Sequence, residues 1–488
     1  MRLLERFCQG VAAVSAAVLL IRAVIGPFWI VHNPLTAEIG FALSVLCVWL
    51  LRSQAQDIRG SAAKSGRWPL LLIPVAAAIA FSPILSMPLV TDDYIHLRQI
   101  VDGEAPTPLG CLTHSCGGPR FFRPLGFATY WAEWELWGLA AAPRHALDLL
   151  LHAISSLLFL LVVRRLGLGS PYDWLAGLIF AWNAIRPEAV AWPAARFDTL
   201  VVLFSLVAAL CVLRGGRGGL VGSTLAVAAA CLCKESAFVL PILLILLIGR
   251  KALGGTGRVF AIANSGVAAT IFIWRWIVLK GVGGYHAHDA TTADPLQFNP
   301  LVFAKTFGGR IWGILWFPLN WSRPLEWWLA IAVVAGLAGS LLLLRARMAT
   351  ARVALCAAAI LVACLPTHHM LLIDASLERS RYLDLATPAF VLLLGLAAAS
   401  LRRGGVAALG LLAVFHLAAL THNLGVWSSV SRQRYEFCRA LAERAKREGA
   451  PVVVHGTPLA RDGVYWRNGI EDCLYLNFDV PMGAVRVD

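Results

Sequence analysis

The stretch PLLLIPVAAAIAFSPILSMPLVTDDY, residues 69–94, decides the fold. Pro69 to Val90 carries no charged residue and is long enough to cross the hydrocarbon of a bilayer as a helix. The run then stops abruptly at Asp92 and Asp93. A carboxylate at the centre of a membrane costs about 2.5–3.5 kcal/mol, so a pair at the boundary must be solvated, paired or used. That makes it the first candidate for chemistry.

The rest of the chain repeats the pattern. Its 488 residues are 59% hydrophobic and 14% charged, with a mean hydropathy of +0.71, which excludes an ordinary soluble composition. Apolar runs place spans near 8–31, 35–51, 69–90, 145–163, 171–186, 197–213, 219–233, 236–249, 258–279, 325–344, 352–366, 384–400 and 404–422. The expected fold class is an all-α polytopic membrane protein of about thirteen transmembrane helices. The first run follows Arg2 and Arg6 without a small-residue cleavage site and reads as a retained signal anchor. Asn299–Leu319 reads as an interfacial or re-entrant helix, because a crossing there would carry the Arg345–Arg352 link to the other side.

The net charge of +14 comes from Lys and Arg gathered in short links such as Arg52–Arg67, Arg164-Arg165, Arg250-Lys251 and Arg402-Arg403. This is the positive-inside pattern, so basicity reports topology and contact with membrane lipids rather than nucleic acid. It puts the N-terminus inside, the C-terminus outside, and the polar regions Thr91–Arg144, Lys280–Pro300 and the tail on the outer face. Three units are expected: 1–68, two helices and a cytoplasmic loop; 69–424, the main transmembrane unit with outer loop 91–144; and 425–488, a small extracytoplasmic domain. In that tail Val430–Glu448 has helical spacing, Pro451-Val-Val-Val-His455 reads as a strand and Asn468-Gly469 as a turn. Of eleven cysteines, Cys111, Cys116, Cys438 and Cys473 lie outside the apolar runs, as two disulfides or as free thiols.

Six polar clusters meet the outer boundary: Thr91-Asp92-Asp93-Tyr94, Arg120 with Arg123, Arg186-Pro-Glu188, Arg196-Phe-Asp198, Lys234-Glu235, and Glu378-Arg379-Ser-Arg381-Tyr382. Acids and bases at nearly every outer helix end imply convergence on one site. Sugar transfer from a polyprenyl phosphate needs this mixture. A carboxylate must take the acceptor's proton, because neutral alcohols are poor nucleophiles, and cations must steady the departing phosphate. Blander readings stand beside it. Thr91 to Asp93 would equally cap a helix, Lys234 would equally snorkel to headgroups, and His286, His288 and His368-His369 read as loop histidines rather than a complete metal set.

Asp92-Asp-Tyr, Phe122-Arg-Pro-Leu, the His152-containing span Leu149–Val162, Arg186-Pro-Glu-Ala-Val-Ala-Trp-Pro-Ala-Ala-Arg-Phe-Asp-Thr-Leu200, Cys233-Lys-Glu-Ser and Arg379-Ser-Arg-Tyr-Leu-Asp-Leu-Ala-Thr-Pro388 stand in a telling order. The chain thereby resembles the membrane part of tetratricopeptide-repeat O-mannosyltransferases, members of the GT-C glycosyltransferase class. The resemblance implies a GT-C fold with a small α/β appendage, a polyprenyl-phosphate sugar donor such as undecaprenyl phosphate, and catalysis on the extracytoplasmic face by inverting direct displacement. Carried over residue by residue, it puts the base at Asp92 or Asp93. Arg196, Lys234, Arg379 and Arg381 fall on the donor phosphate, with Tyr94, Arg123, Glu188, Asp198, Glu235 and Tyr382 in support. The chain departs from the family in lacking the repeats, in two extra spans before the acids, and in Asn183-Ala-Ile-Arg-Pro where the family has His-Pro-Val-His-Thr.

A divalent cation, Mg or Mn, at the acidic motif stays open, since GT-C members differ on this point. The acceptor is a lipid such as lipid A, an envelope glycan or a protein. Ala-rich composition and short loops suggest a bacterial inner membrane with the site facing the periplasm. Two rivals remain: a transporter or flippase of lipid-linked sugars, which would need polar residues at mid-span, and a non-catalytic glycolipid-binding scaffold, whose function would survive loss of Asp92 and Asp93.

Overall fold

The computed structural model describes residues 66–118, 120–248, 255–284, 299–321, 336, 350–373, 375–401, 403–449 and 451–487. The expected spans at 8–31 and 35–51, nearly all of 325–344, and the His286–Asp289 cluster lie outside the described residues.

The chain folds as α1 (Pro69–Phe81), α2 (Asp92–Val101), α3 (Pro124–Trp137), α4 (Ala141–Arg165), α5 (Tyr172–Ala181), α6 (Pro187–Ala191), α7 (Arg196–Arg214) and α8 (Gly216–Cys233). Then come α9 (Leu240–Ile248), α10 (Gly255–Leu279), α11 (Pro300–Thr306), α12 (Trp312–Trp316), α13 (Thr350–Cys364), α14 (Thr387–Ser400) and α15 (Arg403–Glu448). The tail adds β1 (Val452–Val454), β2 (Ala460–Arg461), β3 (Val464–Tyr465), α16 (Ile470–Phe478) and β4 (Val485–Val487).

Among the described residues, 6 helices are long and apolar enough to cross a membrane: Pro69–Ser86, Ala141–Arg165, Pro193–Arg214, Gly216–Cys233, Gly255–Leu279 and Gly404–Glu448. Their outward faces are apolar too, with Ile79 at 68%, Ile277 at 68% and Leu411 at 73% exposure. Such a surface is covered by lipid tails, and the protein is a helical integral membrane protein. α4 runs through the middle, packed against α1, α5 and α7, and its Phe159 ring stacks on Phe180 of α5 at 4.5 Å. Asn299–Leu319 forms α11 and α12, joined through a π-helical turn at Phe307–Ile311.

The apolar run from 404 and the tail helix from Val430 turn out to be one 46-residue helix, α15. No proline interrupts it, and a lone interior glycine such as Gly425 costs only about 1 kcal/mol. Beyond it, β1 pairs with β4 in parallel, Val452 opposite Val485. β2 and β3 form an antiparallel hairpin, Arg461 opposite Val464. Its turn, Asp462-Gly463, holds φ at +51° and +86°, as a two-residue hairpin loop with the primed twist requires. α16 then packs against α2, bringing the tail onto the helix that begins with the acid pair.

Candidate functional site

The two adjacent acids occupy different environments. Thr91 has φ +44° and ψ −113°, a sparsely populated conformation of the kind held in place only by its surroundings. It hands the chain to α2 with Asp93 turned inward, 0% exposed. The Asp93 Oδ2 accepts the Val90 N–H at 2.9 Å, and Oδ1 accepts the Ala194 N–H at 2.7 Å and the Tyr130 hydroxyl at 3.1 Å. Burial pushes this carboxyl up to about 7, against the pull of those hydrogen bonds toward the charged form. Asp92 is partly exposed, and among the described residues none donates a hydrogen bond to it. Burial raises its pKa as well, while Arg381, Arg434 and Arg123 oppose the rise.

The cations form a belt around this point. Arg381 donates to Glu188 through its backbone N–H at 3.1 Å and through its guanidinium. Its Nη2 reaches the Tyr382 hydroxyl at 3.1 Å. Three rings face the same guanidinium carbon, Trp192 at 4.8 Å, Tyr382 at 4.7 Å and Tyr465 at 5.4 Å. Lys234 pairs with Asp198 and lies 5.1 Å from the Tyr382 ring centroid; burial lowers its pKa and Asp198 resists the fall. Arg379, in a left-handed conformation at φ +72°, has its side chain 25% exposed and 3.5 Å from Glu378.

Lys234 and Glu235 take separate partners because the chain straightens between α8 and the next turn, with Lys234 at φ −161° and ψ 148°. Glu235 therefore meets Arg123 in a two-pronged ion pair, 3.0 Å to Nε and 2.5 Å to Nη2. Tyr94 is buried, with the Arg434 guanidinium 5.7 Å from its ring. The structure thus links Glu188, Arg381, Tyr382, Lys234 and Asp198 in one chain of contacts, with Asp92 within the electrostatic reach of Arg381 and Arg123.

Arg196, expected at the donor phosphate, stands elsewhere. Its side chain is 0% exposed and pairs with Asp148 and with Glu133 at 2.5 Å, while Arg144 meets Glu133 at 2.6 Å. A guanidinium enclosed by two carboxylates neutralises them inside the protein and presents no face to a ligand. Asp148 is not part of any of the six sequence clusters, and the buried pairing of Arg186 with Asp384, 2.7 Å apart, does not follow from their places in two separate motifs. Asp148 carried a signal, a carboxylate within the apolar run His145-Ala-Leu-Asp-Leu-Leu-Leu. Its partner lies 48 residues on, which spacing does not reveal.

Cys111, Cys116, Cys438 and Cys473 are buried free thiols. Cys111 lies within hydrogen-bonding reach of Cys116, and Cys438 of Cys473. Among the described residues no group of three or more His, Cys, Asp or Glu side chains is placed to hold a metal. At the acidic motif both Asp93 oxygens are engaged by N–H and O–H donors, so a protein-held cation would find only Asp92.

No family model matches the chain. It is similar to protein O-mannosyl-transferase TMTC2 of Mus musculus, 36% identical over 104 residues, 21% of this chain and 12% of that protein. It is similar to TMTC4 of Homo sapiens at 25% identity over 341 residues, 55% of this chain and 46% of that protein. TMTC3 of Homo sapiens matches at 32% over 123 residues, 24% and 13% of the two chains. The homologues of this chain are thus TMTC O-mannosyl-transferases, and it spans less than half the length of each curated relative named here. Among solved structures, ArnT from Cupriavidus metallidurans bound to undecaprenyl phosphate aligns over 86% of this chain and 89% of its own, with 16% identity and a TM-score of 0.36.

Proposed function

We propose that this chain is a GT-C glycosyltransferase that moves a monosaccharide from a polyprenyl phosphate, such as undecaprenyl phosphate, to an acceptor hydroxyl. The observation that carries the reading is the division of labour at the acid pair. Asp93 is tied into the backbone, while Asp92 is left open beside Arg381 and Arg123. The names of the curated relatives, protein O-mannosyl-transferases, support the same class.

In this reading Asp92 takes the proton of the acceptor hydroxyl as its oxygen attacks the anomeric carbon. The bond from that carbon to the phosphate oxygen breaks, the phosphate keeps the electron pair, and the sugar's configuration inverts. Arg379, Arg381 and Lys234 steady the charge that grows on the departing polyprenyl phosphate. Glu188 and Asp198 hold Arg381 and Lys234 in place beforehand, so little reorganisation is needed at the moment of transfer. Arg123, fixed by Glu235, flanks the acid. An apolar cavity of about 310 Å³ between α4, α7, α9, α13 and α14, with Leu385 and Leu240 among its lining residues, offers apolar space for part of the isoprenoid chain.

The reading extends to about thirteen spans, a bacterial inner membrane and a site facing the periplasm, with lipid A, an envelope glycan or a protein as acceptor. It is tested by sugar transfer from a panel of polyprenyl-phosphate monosaccharides to an envelope extract, using purified full-length protein in lipid. Asp92→Asn is expected to lower turnover by about 10²–10⁴-fold with donor binding retained. Turnover that survives this substitution removes Asp92 as the base.

A further inference from the structure

We propose that Tyr465, delivered by the tail hairpin, is a positioning residue of the donor-phosphate site that aims Arg379 and Arg381. The proposal rests on the glycosyltransferase reading and adds to it a residue that lies outside every motif of the sequence. Tyr465 ends β3. Its ring packs 5.4 Å from Trp192 and 5.4 Å from the Arg381 guanidinium carbon, and its phenol lies close enough to the Arg379 guanidinium to interact with it electrostatically. It therefore packs on one arginine of the Arg379-Ser-Arg381 segment and lies in the electrostatic field of the other. Arg379 has the more exposed side chain of the two, 25% against 9%, and its left-handed backbone leaves that side chain without a helix to direct it.

The hairpin is held firmly enough to serve as a wall. A Cβ on Gly463, at the turn, would lie 2.1 Å from the Ser376 carbonyl oxygen, so the turn presses against the loop leading to Arg379. Asn320 Nδ2 donates to the Asp462 carbonyl at 3.0 Å. Buried Arg434 donates to the carbonyls of Trp466 at 2.9 Å and Asn468 at 2.7 Å. Further along, a Cβ on Gly469 would lie 2.3 Å from the Thr91 carbonyl oxygen. The same short segment thus leans on the arginine loop at one end and on the start of α2 at the other. A tyrosine fixed in this frame limits the orientations open to the two guanidinium groups, which lowers the ordering cost of gripping a phosphate.

The test measures binding of a polyprenyl monophosphate and of the matching polyprenol to full-length protein in lipid nanodiscs, for wild type, Tyr465→Phe and Tyr465→Ala, with a thermal melt for each. Tyr465→Phe keeps the ring and loses the hydroxyl. It is expected to weaken binding of the monophosphate by roughly fivefold, the size of one lost polar contact, with polyprenol binding and melting temperature unchanged. Tyr465→Ala is expected to weaken the monophosphate further while the polyprenol still binds. Equal binding of the monophosphate by all three proteins overturns the proposal and leaves the glycosyltransferase reading standing. So does a loss that falls equally on phosphate and alcohol, because that marks Tyr465 as packing only. A folded wild type that does not distinguish monophosphate from polyprenol overturns the donor reading and this proposal with it.

Discussion

Replacing Asp93 by Asn separates a structural acid from a reacting one. The carboxylate accepts three donors, the Val90 N–H at 2.9 Å, the Ala194 N–H at 2.7 Å and the Tyr130 hydroxyl at 3.1 Å. An amide has one accepting oxygen in place of two. If that oxygen keeps Ala194 and Tyr130, the new NH₂ confronts the Val90 N–H; if it flips, the NH₂ confronts the Ala194 N–H. Either way two buried donors face each other, and each stranded donor costs about 1–3 kcal/mol. The amide avoids burying a charge, which brings the expected loss to the low end, about 2 kcal/mol. In a thermal melt of lipid-reconstituted protein, Asp93→Asn should unfold a few degrees below wild type. Its turnover per folded molecule should fall less than about tenfold, well short of what a lost general base costs. Asp92→Asn should melt within about 0.5 kcal/mol of wild type. The reasoning is refuted by the opposite pattern, with Asp93→Asn as stable as wild type yet inactive and Asp92→Asn still turning over.

Two further outcomes follow from buried charge. Arg196→Met leaves Glu133 and Asp148 with Arg144 as the remaining cation of that cluster, and removing one partner of such a network costs about 3–5 kcal/mol. The melt should show that loss, and adding Asp148→Leu should recover much of it; a single variant as stable as wild type contradicts the assignment. For pH, Asp92 acts deprotonated and burial holds its pKa above the usual 3.8. Transfer should therefore be present at high pH and lost as pH falls through a value above 3.8. A pH–rate profile whose acid limb lies at or below 3.8 would sink the assignment.

The charged residues of the candidate site were legible as an inventory and their pairings were not. The clusters at Asp92, Glu188, Asp198, Lys234 and Arg381 could be picked out because charge is rare in an apolar chain, so each occurrence stands out. Which charge meets which could not be read. Lys234 and Glu235 are neighbours in sequence, yet one meets Asp198 and the other Arg123, 112 residues away. Arg196 lies two residues from Asp198 and carries the same kind of charge as Arg381, yet it is enclosed by Asp148 and Glu133. Tyr465 gave no signal, since a tyrosine in a polar tail is ordinary until a hairpin sets it on Arg381.

By itself the sequence determined that this protein lives in a membrane and that its polar chemistry gathers at helix ends. Those properties follow from how lipid and water partition each residue, a local property of composition and run length. Only the tertiary structure decided that Asp93 is tied to the backbone while Asp92 stays open, that Arg196 is internal, and that the tail supplies a ring to the arginine loop. Pairing energies depend on distance and burial. Those are set when segments hundreds of residues apart pack together, not by the spacing along the chain.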